Sequence, residues 1–400
     1  MAVFEKYQDD LGSGKKVVLG IQHTFTMFGA TVLVPILTGL DVSVALFMAG
    51  IGTLFFHLVT SGKVPVFLGS SFAFIAPILA VGARFGLPYA QGGIVIAGLV
   101  YLVLALLVAL FGAKRIISFF PPVVTGPIIM VIGLILAGTA VSSASTNWFL
   151  AVVSFAIMAF ISIFTKGFIQ MLPVLCGLAG GYIVALITGN VDFSPFERAG
   201  WIGVPNFTVA QFDINAILMI APVAIATMVE HIGDVIAIGA TTGKDYIKNP
   251  GLHRTLIGDG LATSISAILG GPANTTYSEN TGVVALTRVF NPIVMRIAAC
   301  FAILLSVIPK LSAFINTIPT AVIGGISIVL FGMIASIGAR TLVENKVDFT
   351  KPRNLLIAAV ILVIGLGGTT LTIGSFSLDA PLALAAIVGI ILNKILPEKA

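Results

Sequence analysis

The chain has 400 residues, of which 58% are hydrophobic and 9% charged, with a mean hydropathy of +1.12 and a formal net charge of +5. Soluble proteins carry about a quarter of their residues as charged side chains, so this composition excludes a soluble globular protein and leaves a polytopic helical membrane protein. Cys176 and Cys300 lie in apolar runs without metal or disulfide spacing, and no basic run with interleaved aromatics supports nucleic-acid binding.

The first 15 residues, with Glu5, Asp9 and Asp10, lack the apolar core of a cleaved signal. The tail is therefore expected to stay with the mature protein. At about 20 residues per helical span, somewhat fewer where a span is broken, the chain predicts fourteen segments. They fall at 16–36, 43–60, 66–84, 91–112, 121–139, 147–164, 169–188, 214–236, 254–270, 272–289, 292–309, 318–337, 353–369 and 379–395. With a cytoplasmic N-terminus, eighteen of the 21 Lys and Arg residues fall inside and only Arg84, Arg198 and Lys310 outside. That bias agrees with the positive-inside rule and puts both termini in the cytoplasm.

Segment ten, GGPANTTYSENTGVVALTRVF over 270–290, cannot cross a bilayer as one regular helix. Pro272 and the β-branched Thr275 and Thr276 predict an extended start, and Ser278 a helix N-cap before Glu279. Segment three is similar in form: an extended piece through Phe67, a break at Gly69, Ser70 and Ser71, then a half-helix ending at Arg84. The two run in opposite directions, which predicts an inverted repeat of seven plus seven segments joined by the loop over 189–213. The fold expected is thus all-α, with short extended strands in segments 3 and 10. Broken backbone at membrane depth survives only where it is buried or lines a cavity, so the breaks predict a binding site.

Four acids, Glu230, Asp234, Asp259 and Glu279, fall within or beside the segments, where each needs a cavity or a partner. Counting about 1.5 Å per residue from the segment ends places Glu230 and Glu279 near one depth, close to the midplane. Glu230 and Asp234 are one helical turn apart and share a face, whereas His231 is turned away by about 100°. The competing reading of Glu230 and Asp234 is a structural pair bonded to neighbouring backbone; that of His231 is a packed, satisfied ring. Glu279 opens a half-helix, where the dipole favours an anion, and its alternative is a capping acid. Ser70, Ser71 and Phe72 open the other half-helix and offer main-chain N–H groups. Asn280 is expected to bond unwound backbone, Gln22 and His23 to stand behind the site, and His57 to be structural. Asp259 reads as a helix-end acid, an ion-pair partner or a proton carrier, and Arg288 as an anchor or gate pair. The chain lacks a phosphate-binding GxxxxGK[ST] loop, HExxH and a convincing Ser, His and Asp set, which argues against an ATP-driven pump or a hydrolase.

Five ordered motifs, QHTFTMFGATVLVP, GSSFAFIAP, EHIGD, NPGLHR and NTTYSENTGVVALTRV, closely resemble the bacterial uracil permeases of the nucleobase/ascorbate transporter family over about residues 16–396. The resemblance implies a proton-coupled nucleobase importer without a cofactor beyond the coupling ion H+. It also implies a core domain of segments one to four and eight to eleven (1–112 and 214–310). Segments five to seven and twelve to fourteen (113–213 and 311–400) form a gate domain carrying a homodimer contact. By motif position, Glu230 and Glu279 accept hydrogen bonds from the base, and the main-chain N–H groups of Phe72 and Ser278 meet its carbonyls, with Ser71 and Tyr277 beside them. Proton coupling falls to Glu230, Asp234 and Glu279, with Gln22, His23, His231, Asn280 and Asp259 behind.

Two positions depart from the uracil permeases: Asp234 stands where they usually carry histidine, and Ser278 replaces glycine. Asp234 with Asp259 is more like the purine branch, while Glu279 in place of glutamine favours the uracil branch. Uracil is therefore expected, with xanthine or another oxopurine as the alternative. An anion transporter or channel of the same architecture is disfavoured because Glu230 and Glu279 repel an anion. An intramembrane enzyme using Glu230 and His231 is disfavoured because the helix points them apart.

Overall fold

The computed structural model describes residues 12–368, 371–373, 376–378 and 380–397. The expectations for the tail with Glu5, Asp9 and Asp10, and for the chain's last three residues, lie outside the described residues. The chain is mostly helical. It runs through α1 (Ser13–Thr38), α2 (Val42–Val59), strand β1 (Leu68–Ser70), a 3-10 turn (Phe72–Phe74), α3 (Ile75–Arg84) and α4 (Leu87–Phe111). There follow α5 (Ala113–Ile117), α6 (Pro122–Ile135), α7 (Ala137–Ser145), α8 (Trp148–Phe164), α9 (Pro173–Ile187) and α10 (Ser194–Arg198). The second half holds α11 (Ile214–Ile220), α12 (Ala224–Thr242), α13 (Leu252–Ile268), β2 (Asn274–Thr276), α14 (Ser278–Thr287), α15 (Ile293–Ser306) and α16 (Pro309–Asn316). It closes with α17 (Thr320–Glu344), α18 (Pro352–Leu366), the hairpin β3 (Leu371–Ile373) and β4 (Phe376–Leu378), and α19 (Pro381–Ile395).

Among the described residues, six helical stretches are long and apolar enough to cross a bilayer alone: α1, α2, α4, α6 with α7, α11 with α12, and α17. α15 and α16 together make a seventh candidate, bent by 81° at the break. Five shorter apolar helices of 10–17 residues accompany them. The helix ends follow local chemistry. The Asp41 carboxylate accepts from the Val44 N–H at 2.9 Å and starts α2, and Asp213 accepts from Asn215 and Ala216 to start α11. Gly39 (φ 80°) ends α1 and Gly243 (φ 69°) ends α12 in left-handed caps.

The helices pack in two sets. In one, α13 lies against α4 and α2, and α15 against α2 and α1; in the other, α17 lies against α6, α7 and α8, and α18 against α6 and α19. Close approach in the first set depends on small residues. At the crossing of α4 and α13, a Cβ on Gly260 would come 2.6 Å from the Gly98 carbonyl, so backbone meets backbone there. The Ser264 hydroxyl bonds the Val95 carbonyl at 2.9 Å on the same seam.

Three boundaries differ from the sequence expectation. Gly69 and Ser70 are not part of the break; they belong to β1, because β2 supplies the pairing that a single sequence segment does not show. Ser278 is the first residue of α14 rather than its cap, and Tyr277 holds the cap position without a side-chain bond. The stretch expected as one helix over 121–139 is divided into α6 and α7 at Leu136.

Candidate functional site

Two short strands meet antiparallel in the middle of the first helix set, pairing Leu68 with Thr276, Gly69 with Thr275 and Ser70 with Asn274. Bonds from the Ser71 N–H to the Ala273 carbonyl (2.8 Å) and from the Tyr277 N–H to the Phe67 carbonyl (2.9 Å) extend the ladder at both ends. Every residue of both strands is buried, so without this pairing their backbone would be orphaned. Each strand is also bracketed by a threonine of a preceding helix. Thr53 Oγ1 accepts from the Leu68 N–H at 2.9 Å and faces the Leu68 carbonyl at 3.3 Å; Thr263 Oγ1 does the same for Asn274 at 3.2 and 2.9 Å. The two brackets are counterparts in the two halves of the chain.

The crossing is closed from above by Tyr277. Its ring lies against Gly69, where an added Cβ would fall 2.5 Å from a ring carbon, and its hydroxyl donates to the Ser70 carbonyl at 3.0 Å. Thr31 of α1 joins through its hydroxyl, 3.3 Å from the tyrosine oxygen, while Ser70 Oγ donates to the Thr31 carbonyl. Tyr277, placed beside the substrate by resemblance, is thus committed to the crossing as a buried strut.

From the crossing two half-helices diverge, one opening at Phe72 and the other at Ser278, and each leaves its first N–H groups without an intrahelical partner. Glu230 of α12 and Glu279 of α14 are half-buried here. Asp234 accepts from Thr276 Oγ1 at 2.7 Å and from Ser278 Oγ at 2.8 Å. Asp234 is thus held by two side-chain hydroxyls of distant segments rather than by neighbouring backbone, and its carboxylate ties α12 to the end of β2 and the start of α14. The Ser278 hydroxyl, expected to cap its own helix, is turned to Asp234 instead.

His231 faces the other way, as helix geometry requires. Its ring is fully buried between Phe56 and Tyr101, with edge contacts to both at 6.4 Å between centroids. Its Nδ1 lies 3.1 Å from Oδ2 of the equally buried Asp259, close enough for an ion pair but not aligned for a hydrogen bond. Asp259 is therefore no helix-end acid, since α13 begins seven residues earlier and the side chain points inward. Asn280 does not bond unwound backbone; its Nδ2 bonds Nδ1 of His23 at 3.0 Å and the His23 carbonyl at 3.2 Å, joining α14 to α1. Gln22 reaches across to the other helix set, with Nε2 3.4 Å from the Met171 sulfur. His57 bonds the Val66 carbonyl at 2.9 Å and braces the approach to β1. Arg288 ends α14 in the left-handed conformation, φ 54°.

Exposure around the site is one-sided. Gly233, Ile236, Ala237 and Ala240 of α12 and Ser278, Gly282, Ala285 and Leu286 of α14 are exposed, and they run from the carboxylates toward the end carrying Lys244 and Arg288. Gly233 and Gly282 have open space where a side chain would stand. In the opposite direction Ala76, Leu79 and Ala80 of α3 remain half-buried. Among the described residues no three His, Cys, Asp or Glu side chains converge as metal ligands.

Sequence reasoning missed Thr53, Thr263 and Thr31, all of which hold the crossing. The available signal was hydroxyls in apolar helices at the depth of a broken partner.

The chain matches the model of the Permease family (Xan_ur_permease) over residues 14–374. It is similar to a protein named probable uracil permease in Pasteurella multocida (strain Pm70), 46% identical over 393 residues that cover 96% of this chain and 94% of the relative. It is equally similar to the uracil permease of Bacillus subtilis (strain 168), 46% identical over 403 residues, 96% of this chain and 92% of the relative. In fold it is similar to the transmembrane domain of the cyanobacterial bicarbonate transporter BicA, with a TM-score of 0.66 at 16% identity over 94% of this chain and 96% of that one. Murine Slc26a9, an anion transporter in the inward-facing state, gives a TM-score of 0.71 at 10% identity over 96% and 68% of the two chains. At these identities the two structures speak for the fold alone.

Proposed function

The chain belongs to the Permease family, and from that membership we propose that it imports uracil through a bacterial cytoplasmic membrane in symport with protons. The observation that carries the reading is the placement of two half-buried carboxylates, Glu230 and Glu279, beside two half-helix N-termini at Phe72 and Ser278. Uracil presents two ring N–H donors and two carbonyl acceptors, and buried acceptors opposite backbone donors complement it. A base lacking one of these groups leaves a partner unpaired, which is the basis of discrimination. Asp234 is engaged by Thr276 and Ser278, so its presence lends no weight to an oxopurine.

The domains follow the two helix sets: a core of 1–112 and 214–310 that holds the crossing, and a gate of 113–213 and 311–400 through which two copies pair. Fourteen membrane segments leave both termini in the cytoplasm, and the exposed faces of α12 and α14 then open to the cytoplasm. A proton on Glu230, or shared with Asp234, makes the site competent from outside, because two carboxylates one helical turn apart do not both stay ionised. Movement of the core against the gate carries base and proton inward, where loss of the proton weakens the hold on the base.

The test is uptake of radiolabelled uracil into proteoliposomes under an inward proton gradient, with and without a protonophore and with excess unlabelled xanthine. Gradient-dependent uptake untouched by xanthine supports the reading. Accumulation of labelled xanthine without uracil uptake overturns the substrate, and uracil uptake indifferent to the protonophore overturns the coupling.

A further inference from the structure

At the cytoplasmic end of the core, on the sidedness proposed above, three connections line an open cavity of about 650 Å³. The turn after α2 contributes Lys63, the link from α12 to α13 contributes Lys244, Tyr246, Lys248 and Asn249, and the link from α14 to α15 contributes Phe290. Three lysines against the single carboxylate of Asp245 leave the lining with a net positive charge. A fourth cation stands behind it: the Arg296 guanidinium packs on Gly62, which lines the cavity, and its Nε is buried without a hydrogen-bond partner. Asn249 Oδ1 accepts from Lys63 Nζ at 2.5 Å and fixes that ammonium at the rim. Lys248 pairs with Asp245 at 3.5 Å, with 85% of its side chain exposed.

We propose that this cavity is a binding site for a phosphate ester, whose oxygens meet Lys63, Lys244 and Lys248 and whose apolar or ring portion lies against Phe290. Several ammonium groups lining one cavity are suited to the diffuse charge of a phosphate, and the volume lies in the range of small-ligand sites, about 300–1,000 Å³, well above what a bare ion needs. A positive-inside bias alone requires lysines near the cytoplasmic surface, but it does not require three loops to gather them around one cavity. Occupancy would tie together the cytoplasmic ends of the helices carrying Glu230, Asp259 and Glu279, so a bound phosphate braces the substrate site from below.

Two sources offer this chemistry, an anionic phospholipid headgroup and a soluble phosphate, and the test separates them. Purified protein in phosphatidylcholine nanodiscs is titrated with inorganic phosphate and with uridine 5′-monophosphate while its thermal midpoint is followed. A second preparation replaces part of the lipid with phosphatidylglycerol. The Lys63→Gln/Lys248→Gln variant is compared with Lys114→Gln/Arg115→Gln, which removes the same charge from α5, away from the cavity. The expected result is a saturable rise in midpoint in at least one arm, weakened about tenfold or more in the first variant and retained in the second. A response to phosphatidylglycerol alone assigns a headgroup, and a response to either soluble probe assigns a free phosphate. No response in any arm overturns the proposal, as does equal loss in both variants, which would reveal diffuse surface charge. None of these readouts involves uracil, so the result is independent of the substrate assignment.

Discussion

Nδ1 of His231 and Oδ2 of Asp259 lie 3.1 Å apart, and neither side chain has any solvent exposure. The pair sits directly behind Glu230, on the far face of α12, and joins that helix to α13. Removing one partner leaves the polar atoms of the other buried without a neighbour, which costs about 1–3 kcal/mol. Asp259→Asn and His231→Gln are each expected to lower the stability of the detergent-solubilised protein by a few kcal/mol, with the double variant losing about 0.5–3 kcal/mol less than the sum. A thermal-denaturation cycle measures this; strict additivity would show that the short distance carries no energetic coupling.

Glu230→Gln keeps the shape of the side chain and removes its titration. The variant is expected to remain folded by size-exclusion chromatography while gradient-driven uracil uptake falls to background. Unchanged proton-driven uptake would take Glu230 out of the coupling step.

Thr276 and Ser278 each give one hydrogen bond to the Asp234 carboxylate. Bonds to a charged acceptor contribute about 1.5–3 kcal/mol, so Thr276→Val and Ser278→Ala should each loosen the start of α14 and weaken uracil binding by roughly tenfold or more. Asp234→Ala removes both bonds and should be worse than either. Equilibrium binding of labelled uracil to purified protein gives the ranking, and an Asp234→Ala variant with ordinary affinity would refute the positioning role.

Gly69 lies under the Tyr277 ring, whose hydroxyl is held by the Ser70 carbonyl. Because the ring cannot swing away without losing that bond, Gly69→Ala should cost about 1–3 kcal/mol and reduce the folded yield. Tyr277→Phe, which deletes only the hydroxyl, should cost about 1 kcal/mol. Melting curves of the two variants in one detergent would distinguish them, and full stability in the Gly69→Ala variant would mean that the crossing has slack.

The apolar periodicity made the long helices readable: the segment expected at 16–36 is α1 over Ser13–Thr38, and that at 147–164 is α8 over Trp148–Phe164. Glu230, Glu279 and the two breaks were equally legible, because an acid or a Gly-Ser break in hydrocarbon is conspicuous against its surroundings. What stayed hidden were relationships between distant segments. Nothing in the sequence around Ser278 says that its hydroxyl will serve Asp234, 44 residues earlier, rather than its own helix. The pairing of Gly69 with Thr275 and the bracketing threonines Thr53 and Thr263 likewise depend on partners that only the folded chain brings near. For Asp259 the sequence left a helix-end acid, an ion-pair partner and a proton carrier open, and only the folded chain sets it beside His231.

The ladder between β1 and β2 also sets a timetable for biosynthesis. Roughly 200 residues separate the two strands, so at about 5–20 residues per second a ribosome needs roughly 10–40 s to deliver the second after the first. During that interval the backbone of 68–70 is already in the translocon or the bilayer with its ladder to 274–276 unmade. A chain interrupted before residue 274 would insert its early helices and still display that unmatched edge, giving membrane proteases a local mark by which to recognise an unfinished copy.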